Sequence, residues 1–390
     1  MHFILKTAAT ALCVSAFCTP VCAANTIENL QETTTVKADS THLAKARHND
    51  AEGISLAKII KQTDFSVKFG GYIVGKYSIN DRDGQASNGG FDLRFVRLYL
   101  NGYCFKDFYY RLQMEMNDAP GTDKGPRIVD AFVEWQRWEE LRVKLGQFKR
   151  SFGFENPYSP LDVGLGSYSQ ATMKIASIGD RNGEHKSSGR DVGLQLQGDL
   201  FKTSGNFNLL HYQVGLFNGQ GINHKDKDNH KDLIGGLWLQ PIKNLCIGGF
   251  GWNGTYVNEN YNAANTNTYK SVKRVRYGLG MKYEADWTVR GEYMHSVGSV
   301  TTNVAAPNKA DAWYATVGVS VMKGLKVYGR WDCYRDGKIW DAMKTDWGLT
   351  ANYKPCKNLI FQLGYIRTYD RSATIGQRYN TLDVQIYARF

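Results

Sequence analysis

The sequence predicts an all-β chain, a transmembrane antiparallel β-barrel of about sixteen strands. From Phe65 onward, apolar residues alternate with polar ones at a period of two, and short connections alternate with long ones. No apolar run approaches the roughly 20 residues that a membrane-spanning helix needs. Mean hydropathy is −0.43, as expected when each strand has one lipid-facing and one water-facing side. The 23 Tyr, 18 Phe and 9 Trp are enough for the aromatic girdles of such a barrel.

The first 24 residues have the pattern of a secretory signal peptide. Lys6 precedes a short apolar stretch from Thr7 to Phe17, and small residues follow up to Ala24. We therefore predict that residues 1–24 are removed on export. Residues 25–64 contain no aromatic residue and are predicted to form a periplasmic N-terminal extension, or a leader without a role of its own. Residues 65–390 are predicted to form the barrel.

Period two is clear in individual segments. Between residues 189 and 200, Leu194 and Leu196 face one side whereas Gln195 and Gln197 face the other. The last segment has an apolar residue at every second position up to the terminal Phe390. An alternating final strand with an aromatic end is typical of barrels inserted by the barrel-assembly machinery, which is therefore an expected partner.

Seven short connections alternate with eight long ones. These fifteen connections join sixteen strands. The short connections lie at residues 106–107, 138–140, 202–205, 241–244, 285–286, 323–324 and 354–358. The long ones lie near residues 80–90, 118–126, 149–189, 219–231, 258–268, 298–308, 336–342 and 370–378. Short periplasmic turns and longer external loops are the wiring of an outer-membrane barrel. A β-sandwich has no reason to keep this alternation, and a propeller would repeat a blade motif.

Charge and cysteine usage exclude other classes. The formal net charge is +11, and removal of Lys6 leaves +10. Export and the scattered positions of the basic residues argue against binding to nucleic acid. Four cysteines remain after cleavage, Cys104, Cys246, Cys333 and Cys356. They are too scattered for a zinc site, so we expect unpaired thiols, with a disulfide as the alternative. No metal and no cofactor is predicted.

Two segments carry a family resemblance. Residues 91–98 read FDLRFVRL and residues 146–155 read GQFKRSFGFE, and both are similar to the phosphate-selective porin O and P family. Ser151 stands where that family often has proline. The resemblance implies a trimeric porin of sixteen strands, placed in the lipid of the bacterial outer membrane. It also implies basic residues in the pore that bind small anions such as phosphate.

Closing sixteen strands leaves a lumen wide enough for water. Each Lys or Arg on the lipid side at mid-bilayer would cost roughly 2 to 4 kcal/mol, so strand parity assigns the basic residues to the lumen. Arg94 and Arg97 are three residues apart and fall on opposite sides. A β-bulge, or a position for Arg94 at the rim, would explain this, and we assign Arg97 to the lumen. The longest loop, residues 149–189, is predicted to fold into the channel as a constriction. The predicted pore and anion-binding residues are Arg97, Arg111, Arg142, Lys144, Lys149, Arg150, Arg274, Arg276 and Arg330.

These features predict a water-filled channel for passive diffusion of small solutes, with a preference for anions in general or for phosphate. One alternative is a barrel enzyme, but no Gly-x-Ser-x-Gly motif occurs, and Ser87-Asn88-Gly89 lacks the preceding histidine of a barrel lipase. No catalytic activity is therefore predicted. The other alternative is a structural or adhesive barrel with a plugged lumen. Against it, no separate plug domain precedes the barrel.

Overall fold

The computed structural model describes most of residues 64–390. The described ranges are 64–85, 88–117, 126–176, 178–181, 188–258, 270–300, 303–337 and 343–390. The predicted signal peptide lies outside the described residues, as does the predicted extension except for Asp64. No helix in these ranges is long and apolar enough to cross a membrane.

The described residues form sixteen strands and one π-helical turn, Ala171–Ile175. In chain order, the strands are β1 (Lys68–Asn80), β2 (Gly89–Cys104), β3 (Phe108–Glu115), β4 (Arg127–Trp135), β5 (Arg142–Lys149), β6 (Arg190–Lys202), β7 (Asn208–Phe217), β8 (Asp232–Ile242), β9 (Leu245–Asn258), β10 (Lys270–Glu284), β11 (Trp287–Val300), β12 (Asn303–Met322), β13 (Leu325–Asp336), β14 (Met343–Cys356), β15 (Leu359–Asp370) and β16 (Arg378–Arg389).

The sheet is a closed antiparallel barrel in which each strand pairs with its neighbours in sequence. Strands β1 and β16 close it, with a register that runs from Tyr72 opposite Arg389 to Asn80 opposite Thr381. Closure leaves no unpaired strand edge. The predicted fold class and strand number are confirmed.

Alternation sorts the side chains between the outer face and the lumen. Leu145, Leu194 and Leu279 lie on the outer face and are exposed, whereas Gln195 and Arg276 point inward and are buried. The apolar outer face matches the hydrocarbon of a bilayer, and the polar side chains line the interior.

A β-bulge in β2 places two arginines in the lumen. Phe95 pairs with Val74 and Leu93 pairs with Gly75, so Arg94 is the extra residue. Its guanidinium donates to the side chains of Gln385 (2.8 Å) and Tyr387 (3.2 Å). Of the two explanations for the spacing of these arginines, the register shows the bulge, and it turns Arg94 inward as well as Arg97.

Gly146 interrupts the alternation of β5. Its φ is +130°, and a Cβ at this position would lie 2.2 Å from the carbonyl oxygen of Ala131, so only glycine fits. Beyond it, Gln147 and Phe148 are both buried, and the chain enters the loop that follows β5.

The two ends of the barrel differ. We call the end with the short connections the turn end and the other the loop end. Residues 298–308, predicted as a loop, belong mostly to strands, because β11 and β12 continue until Val300 pairs with Asn303. Continued pairing satisfies the backbone hydrogen bonds beyond the barrel rim.

Candidate functional site

The segment between β5 and β6, which we call the constriction loop (residues 150–189), crosses the lumen. Inward side chains of the opposite wall donate hydrogen bonds to its backbone carbonyls. These bonds join Arg290 to Val163 (2.8 Å), Arg330 to Ser167 (2.8 Å), Asn352 to Gly164 (2.7 Å) and Gln385 to Gly166 (3.4 Å). The described part of the loop therefore lies inside the barrel, against β11, β13, β14 and β16.

Carboxylates of the same wall accept the N–H groups of the loop. Glu292 accepts from the backbone of Phe154 (2.7 Å) and Glu155 (2.9 Å). Asp332 accepts from the backbone of Gln170 (2.8 Å). The loop is thus hydrogen-bonded in both directions, as buried backbone requires.

The last part of the loop docks on a buried group that we call the Trp252 cluster: Trp252, Arg150, Arg274, Arg276, Asp180, Asp191 and Asp232. The guanidinium carbons of Arg150, Arg274 and Arg276 lie 4.9, 4.5 and 4.5 Å from the centre of the Trp252 ring. Stacking of guanidinium groups on an indole is favourable, more so when both are desolvated.

Three aspartates balance the three arginines of the Trp252 cluster. Asp180, on the loop, pairs with Arg276 (2.5 Å) and Arg274 (3.2 Å). Asp232 pairs with Arg274 (2.6 Å), and Asp191 pairs with Arg150 (3.0 Å). All six side chains are buried, so these charges hold the loop to the wall.

Four of the nine predicted residues therefore anchor the loop. Strand parity places Arg274, Arg276 and Arg330 in the lumen, and the structure adds that the loop covers them. Arg150 borders the open space, but its side chain is fully buried against Asp191. Because they are covered or neutralised by aspartate, these residues do not form the open cationic lining.

An open cavity of about 450 Å³ remains between the constriction loop and the wall of β1 to β7. Its basic lining residues include Arg97, Arg111, Lys144, Lys149 and Arg190. The acidic lining residues are Asp130 on β4 and Asp162 on the loop. This cavity is the candidate section of a passage through the barrel.

Arg111 and Lys144 present their charges to the cavity. The Arg111 side chain is 29% exposed, stacks on Tyr99 (5.0 Å) and lies 3.6 Å from Asp130. The Lys144 side chain is 16% exposed and lies 3.5 Å from Glu134. The carboxylates behind them are less exposed, at 9% for Asp130 and 6% for Glu134. The cations are therefore nearer to the water of the passage than their partners.

Comparison with known proteins finds a family that matches part of the chain. Residues 66–216 match the family model described as phosphate-selective porin O and P. The match covers less than half of the chain. This match and the closed barrel together place the protein in the bacterial outer membrane, where it forms a channel. No curated protein matches the sequence.

Solved structures with the same fold are distant in sequence. An anion-selective porin from Comamonas acidovorans is 13% identical, with a TM-score of 0.62, and the match covers 84% of this chain and all of the other. OmpT, an outer membrane protein of Vibrio cholerae, is 12% identical (TM-score 0.59; 86% and 100% covered). The outer membrane channel DcaP of Acinetobacter baumannii is 10% identical (TM-score 0.54; 84% and 97% covered). Each likeness shows the porin fold alone.

Two further predicted residues of the porin line the cavity with their donors already engaged. Lys149 donates to the carbonyls of Asn156 (2.7 Å) and Tyr158 (2.5 Å). Arg97 donates to Glu115 (2.6 Å) and is 2% exposed. Both therefore offer little to a passing solute.

Arg142 lies nearer the turn end, where it pairs with Asp199 and is outside the cavity lining. The ninth predicted residue therefore faces the lumen but does not line the cavity.

Sequence reasoning missed three lining residues of the porin: Arg190, Gln113 and Gln213. Arg190 pairs with Asp130 (2.7 Å). Counted from Leu194, parity would turn Arg190 outward, but Arg190 pairs with Lys149, beyond Gly146, where the alternation of β5 is interrupted. Gln113 and Gln213 obey parity, but both are uncharged, whereas the predicted site contains only basic residues.

Proposed function

We propose that this porin passes small solutes by diffusion with a moderate preference for anions, and that it has no catalytic role. The supporting observation is the unequal exposure of the charges: the side chains of Arg111 and Lys144 are more exposed than those of their partners Asp130 and Glu134. One structural neighbour, the porin from Comamonas acidovorans, is described as anion-selective, which is consistent with this preference.

The physical basis is short-range electrostatics. At physiological salt the Debye length is about 8 Å, so only charges beside the permeation path act strongly. A cationic lining attracts anions into the channel, and their exit stays fast when binding is weak. Asp162, an exposed lining residue on the loop, opposes the effect and should keep the preference moderate.

Phosphate selectivity is the narrower form of the proposal. Arg can bind phosphate oxygens through two parallel hydrogen bonds, and Arg111 is the exposed guanidinium of the cavity. Because Lys149 and Arg97 are engaged elsewhere, phosphate would meet few free donors. We therefore expect phosphate to block chloride current weakly, by attraction rather than in a rigid site.

The partners are proposed on similar grounds. Strands β3 and β5 have eight residues each, fewer than the roughly 9 to 11 that cross a bilayer. Contact with other subunits of a homotrimer would cover this low wall, and lipid would surround the rest. One solved form of Vibrio cholerae OmpT is described as a trimer. The C-terminal strand β16 is proposed to bind the barrel-assembly machinery, after export by the signal peptide 1–24.

The test is the reversal potential of single channels across a salt gradient at about 0.1 M, where screening is moderate. Replacing Arg111 and Lys144 together by Gln should shift it toward cations, and Asp162→Asn should shift it toward anions. Lys225→Gln, an equal change of charge in an exposed loop, should leave it unchanged and serves as the control. A cation-selective native channel would refute the proposal, and absence of conductance would favour the enzyme or adhesive alternatives.

A further inference from the structure

The wall of the cavity carries a fixed order of side chains along the pore. From the loop end to the turn end these are Gln113, Arg111, Lys144 and Gln213. Gln113 and Arg111 are two residues apart on β3. Lys144 lies one level nearer the turn end than Arg111. Arg111 pairs with Phe132 on β4, and Lys144 pairs with Glu134, two residues further along the same strand. Gln213 lies one level lower, since Gln197 pairs with both Gln213 and Arg142.

The amides of Gln113 and Gln213 share an absence of hydrogen-bond partners among the described residues. Gln113 is only 3% exposed and lines the cavity, yet its amide makes no hydrogen bond to any residue that the structure describes. Gln213 also lines the cavity, and its amide makes no hydrogen bond to any residue that the structure describes. By contrast, Gln195 donates to Gln197 (2.6 Å), and Gln197 donates to Glu134 (2.5 Å). Among the described residues, none therefore competes with a molecule in the cavity for the two donors and the acceptor of each amide.

The size of the cavity favours an organic ligand over a single small ion. At about 450 Å³ it falls in the range of roughly 300 to 1,000 Å³ that holds small organic molecules. Successive levels on a strand are two residues, or about 7 Å, apart. A six-carbon chain with a carboxylate at one end can thus reach from the cations to the next amide.

We propose that this cavity binds hydroxylated organic anions of the sugar-acid type, with the anionic group at Arg111 and Lys144 and the hydroxyl groups on Gln113 or Gln213. The inference rests on the proposed anion preference and names its substrate class. Cations alone would attract any anion, whereas unpartnered amides add hydrogen bonds that only a polar chain can make.

Three probes of one length separate the contributions. Gluconate has both the charge and the hydroxyl groups, hexanoate has only the charge, and sorbitol has only the hydroxyl groups. The measurement uses native channels held in a planar bilayer. The concentration of gluconate that reduces the chloride current to a given extent should be at most half that of hexanoate. We expect about a fivefold difference from one or two net hydrogen bonds. Sorbitol should block the chloride current more weakly than gluconate by a similar factor.

Variants locate the site. Gln113→Leu and Gln213→Leu, singly and combined, should remove the advantage of gluconate over hexanoate. Gln377→Leu makes the same change in an exposed connection at the loop end and should have no effect. A native heat-induced mobility shift of the variants on gels shows that the barrel is intact.

The outcomes distinguish this inference from the proposed function. Equal block by gluconate and hexanoate in an anion-selective native channel overturns the inference and leaves the proposed function intact. Persistence of the gluconate advantage in the double variant also overturns it, as does block by sorbitol equal to that by gluconate. A reversal potential that favours cations refutes the proposed function itself.

Discussion

Asp180→Asn should release the last part of the constriction loop from the wall. Asp180 is the loop's own carboxylate in the Trp252 cluster, and it pairs with Arg276 (2.5 Å) and Arg274 (3.2 Å). Arg274 keeps Asp232 in the variant, whereas Arg276 loses the carboxylate of Asp180 and stays buried. Breaking a buried pair from one side costs about 3 to 5 kcal/mol.

The lower end of that range applies, because Arg276 still donates to the carbonyl of Ile175 (2.5 Å). A cost of about 3 kcal/mol raises the undocked population of the loop roughly 100-fold. Ala176 is fully buried beside this contact. In a background with Cys104 and Cys356 replaced by Ser, the labelling rate of Ala176→Cys should rise by the same factor, and open-channel current noise should increase.

Asp226→Asn is the matched control, because Asp226 pairs with half-exposed Lys231 in an external loop. A pair of this kind contributes roughly 0 to 1 kcal/mol, so labelling should change only a few-fold. If Asp180→Asn labels no faster than this control, the Trp252 cluster does not hold the loop, and the argument from buried charge is refuted.

The same contact has a defined pH dependence. Burial alone would raise the pKa of Asp180, but Arg276 and Arg274 lower this pKa from 3.8 to about 2. A carboxyl group whose pKa is lowered stabilises the docked state above its ordinary pKa and loses that effect as pH falls through the lowered value. Open-channel noise of the native porin should therefore be constant from pH 7 to about 4 and increase toward pH 2.

Two other predictions follow from the placement of charges and connections. Arg150→Gln should destabilise the barrel by about 3 kcal/mol or more, since it leaves Asp191 buried without its cation. A heat-induced mobility shift on gels measures this destabilisation. An unchanged transition temperature would show that the pair does not stabilise the barrel. In a Cys356→Ser background, a cysteine at Asn88 should react with an impermeant reagent on intact cells and one at Gly205 should not. Equal labelling at Asn88 and Gly205 would contradict the proposed orientation.

The face on which a strand residue lies could be predicted from the sequence alone. Period two assigned Arg111 and Lys144 to the lumen. The spacing of Arg94 and Arg97 left a bulge or a rim position for Arg94 open, and the register of β1 and β2 shows the bulge. The closed sixteen-stranded sheet follows from the same local signal, because each strand pairs only with its neighbours in sequence.

Only the tertiary structure decided which lumenal residues remain open to the passage. Arg276 and Lys144 have the same parity, yet the constriction loop covers the first and leaves the second exposed. The loop docks through contacts between residues far apart in the chain, such as Asp180 with Arg276. Periodicity reports the face of a strand, and it carries no information on what packs against that face. For that physical reason, the sequence determined the barrel and its inward charges, and the docked loop determined the pore.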